Sequence, residues 1–153
     1  MRSSRATGAA LTILAALMAV CASTASAVVA GADVSWLPKD EDAGAVFYSE
    51  GEPRDLLDLM VENDLTLVRL RLWHSPEEHW HDLDSTLDLA ERATAAGCDI
   101  MLDLHYSDTW ADPGQQTKPS AWQGITFDAL VDSVYAYTNA AVRRFRDRSV
   151  PLA

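Results

Sequence analysis

The stretch that concentrates chemistry is DLHYSDTWADPG, residues 103–114. A short apolar run, Ile100 to Leu102, leads into Asp103, His105, Tyr106, Ser107, Asp108, Trp110 and Asp112, and a Pro-Gly turn closes it. A second group, Arg69, Arg71 and Trp73, alternates along LTLVRLRLW (65–73) and runs into His74, Ser75 and Pro76. Asp33, in GADVSW (31–36), makes a third. Indole and phenol faces beside hydrogen-bonding groups suit a sugar ring. Its C–H face stacks on an aromatic side chain, and its hydroxyls need convergent donors and acceptors. Trp122 joins this aromatic set. For any one of these rings the alternative is packing that closes a loop.

Hydrolysis of a glycosidic bond needs two carboxyl groups flanking it, about 5 Å apart when configuration is retained. Asp108 and Asp112 share one short loop, so they do not flank a substrate, and no catalytic role is assigned to them. HSPEEHWHD (74–82) offers His79, His81 and Asp82, which are zinc-type ligands. No upstream pair completes that set, and a solvated loop ahead of a helix is the expectation. His105 follows a buried strand, so it is expected to serve the site as a polar group rather than a metal ligand. These residues require no cofactor and no metal.

The positioning elements follow from periodicity. Strands are expected over 31–36, 65–73 and 99–105. Helices are expected over 53–63, with Pro53 at the first position, over 82–97, with Gly97 as stop signal, and over 126–148, capped by Thr126. In these helices Leu56, Leu59 and Met60 share one face. Leu83, Leu87 and Ala90 share another, and Phe127, Leu130, Val131, Val134, Ala141, Val142 and Phe145 repeat at helical spacing. Three βα units in succession imply an α/β fold with a parallel sheet. An open doubly wound sheet and a (β/α)₈ barrel compete, and the first βα junction lacks a glycine-rich phosphate loop.

Side chains alternate faces along a strand. Val68, Leu70 and Leu72 share one face, and Arg69, Arg71 and Trp73 the other. Ile100, Leu102 and Leu104 oppose Asp103 and His105. An apolar face toward helices and an inner face that turns polar at its C-terminal end fit a barrel with its site at that rim. Arginines on one strand can pair there with carboxylates on its neighbours. A purely structural ion-pair lattice is the alternative.

Composition bounds the rest. The 153 residues carry a formal charge of −11, which argues against nucleic acid or an anionic membrane as partner and fits a neutral substrate. Arg2 and Arg5, an uncharged apolar run over 9–22 and Ala25-Ser26-Ala27 read as a secretory signal peptide over 1–27. The run is shorter than the roughly 20 apolar residues needed to span a bilayer. Residues 28–153 are then expected to be a secreted, extracellular domain with no membrane association after cleavage. Cys98 would be its sole cysteine, so no intramolecular disulfide forms.

GADVS at 31–35, VRLRLW at 68–73 followed by Pro76, and DLHYSDTWADPGQQTKPSAW at 103–122 closely resemble glycoside hydrolase family 53, the secreted arabinogalactan endo-β-1,4-galactanases. The resemblance runs from about Gly31 to at least Trp122. It implies a (β/α)₈ TIM barrel and endo-cleavage of β-1,4-galactan in pectic arabinogalactan with retention. It also implies an acid/base Glu after the fourth strand in an Asn-Glu pair, and a nucleophilic Glu at the end of the seventh. Asp33, Arg69, Arg71, Asp103, His105, Tyr106, Ser107, Asp108, Trp110 and Asp112 carry over as binding and support residues. Arg71, His105 and Tyr106 are expected nearest the reacting sugar, with Trp73 and Trp110 as stacking or wall residues.

The 153 residues contain no Asn-Glu dipeptide: Asn63 and Asn139 precede Asp64 and Ala140. Residues 28–153 are therefore expected to be the N-terminal, truncated part of the catalytic domain. It would hold three βα units and neither catalytic glutamate, and would be inactive alone. The alternatives are a non-catalytic galactan-binding remnant and a metal-binding extracellular protein using His79 and His81.

Overall fold

A computed structural model describes residues 28–153, and the signal peptide expected over 1–27 lies outside the described residues. The chain enters through β1 (Ala30–Asp33) and turns into α1 (Leu37–Asp42). A hairpin follows, β2 (Phe47–Ser49) against β3 (Glu52–Arg54), and then α2 (Leu56–Glu62) and β4 (Leu65–Leu72). A 3₁₀ turn at His79–His81 precedes α3 (Leu83–Ala96) and β5 (Asp99–Leu104). A second 3₁₀ turn at Ser120–Trp122 leads to α4 (Phe127–Asp147).

Strands β1, β4 and β5 form one parallel sheet with β4 in the middle. The register sets Asp33 opposite Arg69 and Arg71 opposite Asp103. One face of β4 buries Val68, Leu70 and Leu72 completely. Leu57 and Met60 of α2, Leu87, Ala90 and Ala93 of α3, Ile100 of β5 and Phe145 of α4 complete that core. Each fully buried aliphatic or phenyl side chain stabilises the fold by about 1.5–3 kcal/mol. Cys98 is buried and free.

Local chemistry sets the ends of α3. The Asp82 carboxylate accepts from Ser85 N at 2.8 Å, offsetting one orphan donor of the first turn. Gly97, at φ 102°, donates back to the carbonyls of Ala93 and Thr94, the left-handed cap that glycine takes without a Cβ penalty. Thr126 caps α4, its hydroxyl accepting from Ala129 N at 3.3 Å.

The structure corrects the sequence reading at three places. The connection from β1 to β4 holds α1 and a hairpin besides α2. Pro53 lies in β3 opposite Tyr48, where a missing N–H is tolerated on a ribbon edge. The helix starts instead at Asp55, which accepts from Leu57 N at 2.7 Å. Second, β1 stops at Asp33 rather than Trp36, because the Asp33 carboxylate accepts from Ser35 N at 3.0 Å and turns the chain. Third, the apolar repeat of α4 is not buried throughout. Ala141 and Phe145 are, but Phe127 is 77% exposed, and Val131 and Val142 also face outward. The C-terminal half of the helix supplies its core contacts, so helical spacing marks a face without saying that anything covers it. After α4, Leu152 pairs in parallel with Ile100, and Ala153 N donates to Ile100 O at 2.9 Å.

Gly31 permits the close approach of β1 to β4. A Cβ there would sit 2.7 Å from Leu67 Cβ and closer still to the Leu67 carbonyl oxygen. Gly31→Ala is expected to destabilise the chain by about 1–3 kcal/mol through overpacking. The midpoint of urea unfolding reads this, and an unchanged midpoint would contradict the packing described.

Candidate functional site

The face of the sheet opposite the helices carries Asp33, Arg69, Arg71, Asp103 and His105. Arg69 pairs with both Asp33 and Asp103, bridging β1, β4 and β5. Arg71 is 3% exposed. Its Nε lies 3.3 Å from Asp33 Oδ2, and its Nη2 donates to Asp33 Oδ1 at 3.4 Å. Ser35 ties the two strands together. Its hydroxyl donates to Asp33 at 2.7 Å and accepts the Arg71 peptide N–H at 2.9 Å. Burial pushes the Asp33 carboxyl up, but the Ser35 hydrogen bonds and the charges of Arg71 and Arg69 outweigh it and hold the group below the usual carboxylate range. Burial pushes the Arg71 guanidinium down from its ordinary value. These pairings make burial of Arg71 tolerable, since an unpaired buried charge costs several kcal/mol.

Aromatic rings surround that guanidinium. Arg71 Cζ lies 5.1 Å from the Trp36 ring centroid and 4.9 Å from that of Trp110, both within cation–π range. Trp110 is 44% exposed. Its indole N–H donates to Asp112 Oδ2 at 2.9 Å, while Asp112 Oδ1 accepts from Gly114 N at 2.7 Å and Gln115 N at 3.0 Å. Asp112 therefore aims the indole and shapes the loop. Trp73 is buried, so its ring faces are covered by neighbouring side chains. Its Nε1–H donates to His105 Nδ1 at 3.1 Å, and His105 Nε2 lies 2.9 Å from Asp103 Oδ2. An indole N–H only donates, so Nδ1 is the bare acceptor and Nε2 carries the hydrogen given to Asp103.

The remaining motif residues build the loop. Asp108 accepts from Ser75 N at 3.1 Å and from Ser120 N and Oγ, each at 2.8 Å, tying the loops after β4 and β5 together. Burial pushes its carboxyl up, but the bonds from Ser120 and Ser75 and the nearby His74 bring it below the usual range. Ser107 is buried, its carbonyl accepting from His74 N at 2.7 Å. Tyr106 adopts φ 47°, uncommon for a bulky residue, and its hydroxyl meets Thr138 Oγ1 of α4 at 2.8 Å. It lines a hollow of about 420 Å³ with His105, Ala111, Asp112 and Gln116. Its hydroxyl is turned to α4. Trp122 packs on His74, Tyr106 and Tyr137 as buried loop support.

Ser35 shares the parity of Asp33 along GADVSW, and it joins Asp33 and Arg71. Two further contributors are not marked by residue type or spacing. Trp36 follows the strand with no local signal of its position. His81, expected in a solvated loop, is 2% exposed and packed between Trp36 and Trp73, at 4.4 and 4.2 Å between ring centroids. Among the described residues no three His, Cys, Asp or Glu side chains converge as metal ligands.

The profile of glycosyl hydrolase family 53 matches residues 29–152. A probable arabinogalactan endo-β-1,4-galactanase A of Aspergillus terreus is 41% identical over 130 residues, covering 84% of this chain and 37% of that protein. The arabinogalactan endo-β-1,4-galactanase A of Aspergillus niger is 40% identical over 131 residues, covering 85% and 37%. Among solved structures, the family 53 catalytic domain of Ignisphaera aggregans superposes with a TM-score of 0.76 at 35% identity, over 81% of this chain and 37% of the other. A fungal β-1,4-galactanase gives 0.79 at 33% identity, over 82% and 38%. The chain thus spans a little over a third of the length of the curated relatives it matches. Sequence and backbone agree across nearly all the described residues, and the chain belongs to glycosyl hydrolase family 53.

Proposed function

We propose that β1, β4 and β5 are the opening strands of a (β/α)₈ barrel that cleaves β-1,4-galactan with retention, and that their polar face holds the sugar. The observation that carries this reading is the Arg69–Asp33–Asp103 and Arg71–Asp33 lattice, capped at the rim by the half-exposed Trp110 indole. The indole offers a stacking face, with the His105 ring centroid 5.7 Å and the Arg71 guanidinium 4.9 Å from its own. The apolar run over 9–22 and the Ala25-Ser26-Ala27 site support export. Among the described residues no helix is long and apolar enough to cross a membrane.

On this reading the described residues bind the sugar and do not break the bond. Strands β1, β4 and β5 contain no glutamate. Glu41 pairs with Arg92, Glu62 with Arg54, Glu78 with Lys39 and Glu91 with Arg148. Glu50 and Glu52 belong to the hairpin, and Glu77 lies in the loop ahead of the 3₁₀ turn at His79–His81. The polypeptide's share of the work is to bind and to orient. Purified chain is expected to release no reducing ends from potato galactan above a blank. Turnover would show that a catalytic pair exists within it.

Binding without hydrolysis distinguishes this polypeptide from an inert fold. Migration through a gel containing galactan is expected to be retarded, and Trp110→Ala is expected to weaken the apparent affinity about 5- to 10-fold, the loss of one aromatic stacking contact. Equal retardation of both proteins would remove Trp110 from the site.

A further inference from the structure

Neither ring nitrogen of His81 has a hydrogen-bond partner, although both are buried. Leaving a buried polar atom without a partner is costly. The position therefore does not use the imidazole's hydrogen-bonding capacity; it uses the ring's shape. The ring stands edge-to-face on Trp36, at 4.4 Å and 81°, and tilted on Trp73, at 4.2 Å and 52°. The His81 carbonyl also accepts the Trp73 peptide N–H at 2.9 Å, so Trp73 is gripped by backbone and ring together. Its indole N–H then selects which nitrogen of His105 is bare, and Trp36 lies against the Arg71 guanidinium.

We propose that His81 is a positioning residue: a planar wedge between the indoles of Trp36 and Trp73 that fixes the tautomer of His105 and the seat of Arg71. It touches no sugar itself, since it is buried between the two indoles. Burial and the adjacent Arg71 charge push its pKa down to about 4, so at neutral pH the wedge adds no second cation beside that guanidinium. The galactan reading says what Arg71 and His105 are for; the wedge itself stands on ring geometry alone.

Two substitutions separate shape from mere volume. His81→Phe keeps a planar ring, and His81→Leu fills much of the space without one. In long-range ¹H–¹⁵N spectra of the labelled full chain, wild type is expected to show His105 as a single form with hydrogen on Nε2. His81→Phe is expected to retain that form, and His81→Leu to show both tautomers in comparable amounts. A single tautomer in both variants, or a mixture in both, would overturn the proposal. A Leu variant that unfolds would make His81 a determinant of folding instead, and would overturn it too. Galactan retardation run in parallel is expected to persist in the Phe variant and to be lost in the Leu variant. Absence of retardation in wild type would count against the galactan reading and leave the tautomer pattern to decide on His81.

Discussion

Acidification is expected to weaken the fold in two stages, the first of which disappears in His81→Phe. The His81 ring titrates at about 4 in the folded chain, against an ordinary 6.5. Burial is the main cause. Arg71, Lys39 and His105 push in the same direction, and Asp33 opposes them. Between pH 6.5 and 4 the unfolded chain holds this proton and the folded chain does not, so stability falls as pH falls through that window. The loss amounts to about 3 kcal/mol. Asp33, Asp55 and Asp108 titrate below their ordinary value of 3.8 when folded. Their contribution is intact above that value and drains away as pH falls below it. Urea midpoints from pH 7 down to 3 resolve the stages. A flat profile from 7 to 4.5 in wild type, or an undiminished slope in the Phe variant, would contradict the buried aromatic seat of His81.

Asp33→Ala is expected to cost about 3 kcal/mol, the lower end for breaking a buried pair, because Asp33 keeps some contact with solvent. Its carboxylate serves Arg69, Arg71 and both donors of Ser35. Removal leaves the Arg71 guanidinium buried without its counter-charge and frees the turn that ends β1. Asp33→Asn retains an acceptor for Ser35 but no charge, and should fall between wild type and Ala. Arg144→Ala, at the exposed pair with Asp84, should cost under about 0.5 kcal/mol. Equal midpoint shifts for Asp33→Ala and Arg144→Ala would show that the inner lattice carries no special weight.

The strand alternation was legible because one face of β4 is wholly apolar and the other is not, and a period of two leaves a single assignment. The ends of α3 were legible at Gly97, and the start of α4 at Thr126, because caps are local chemistry. The hairpin was not legible because Glu52-Pro53-Arg54 carries no strand pattern and Pro53 suits a helix start equally well; its turn rests on positive φ at Glu50 and Gly51. The seat of His81 and the turn of Tyr106 toward α4 depend on residues up to some tens of positions away, beyond any local pattern. The exposed face of α4 shows the same limit, since periodicity names a stripe and not its partner.

The most direct test of the polar rim is a titration of the labelled chain with a short β-1,4-linked galactooligosaccharide, followed by indole and imidazole resonances. The Trp110 indole N–H and the His105 ring are expected to shift together and saturably, with the outward face of α4 around Phe127 and Tyr135 unmoved. Shifts confined to α4, or to the hollow lined by Pro38, Trp80 and Arg92, would place the sugar elsewhere and contradict the assignment of the rim.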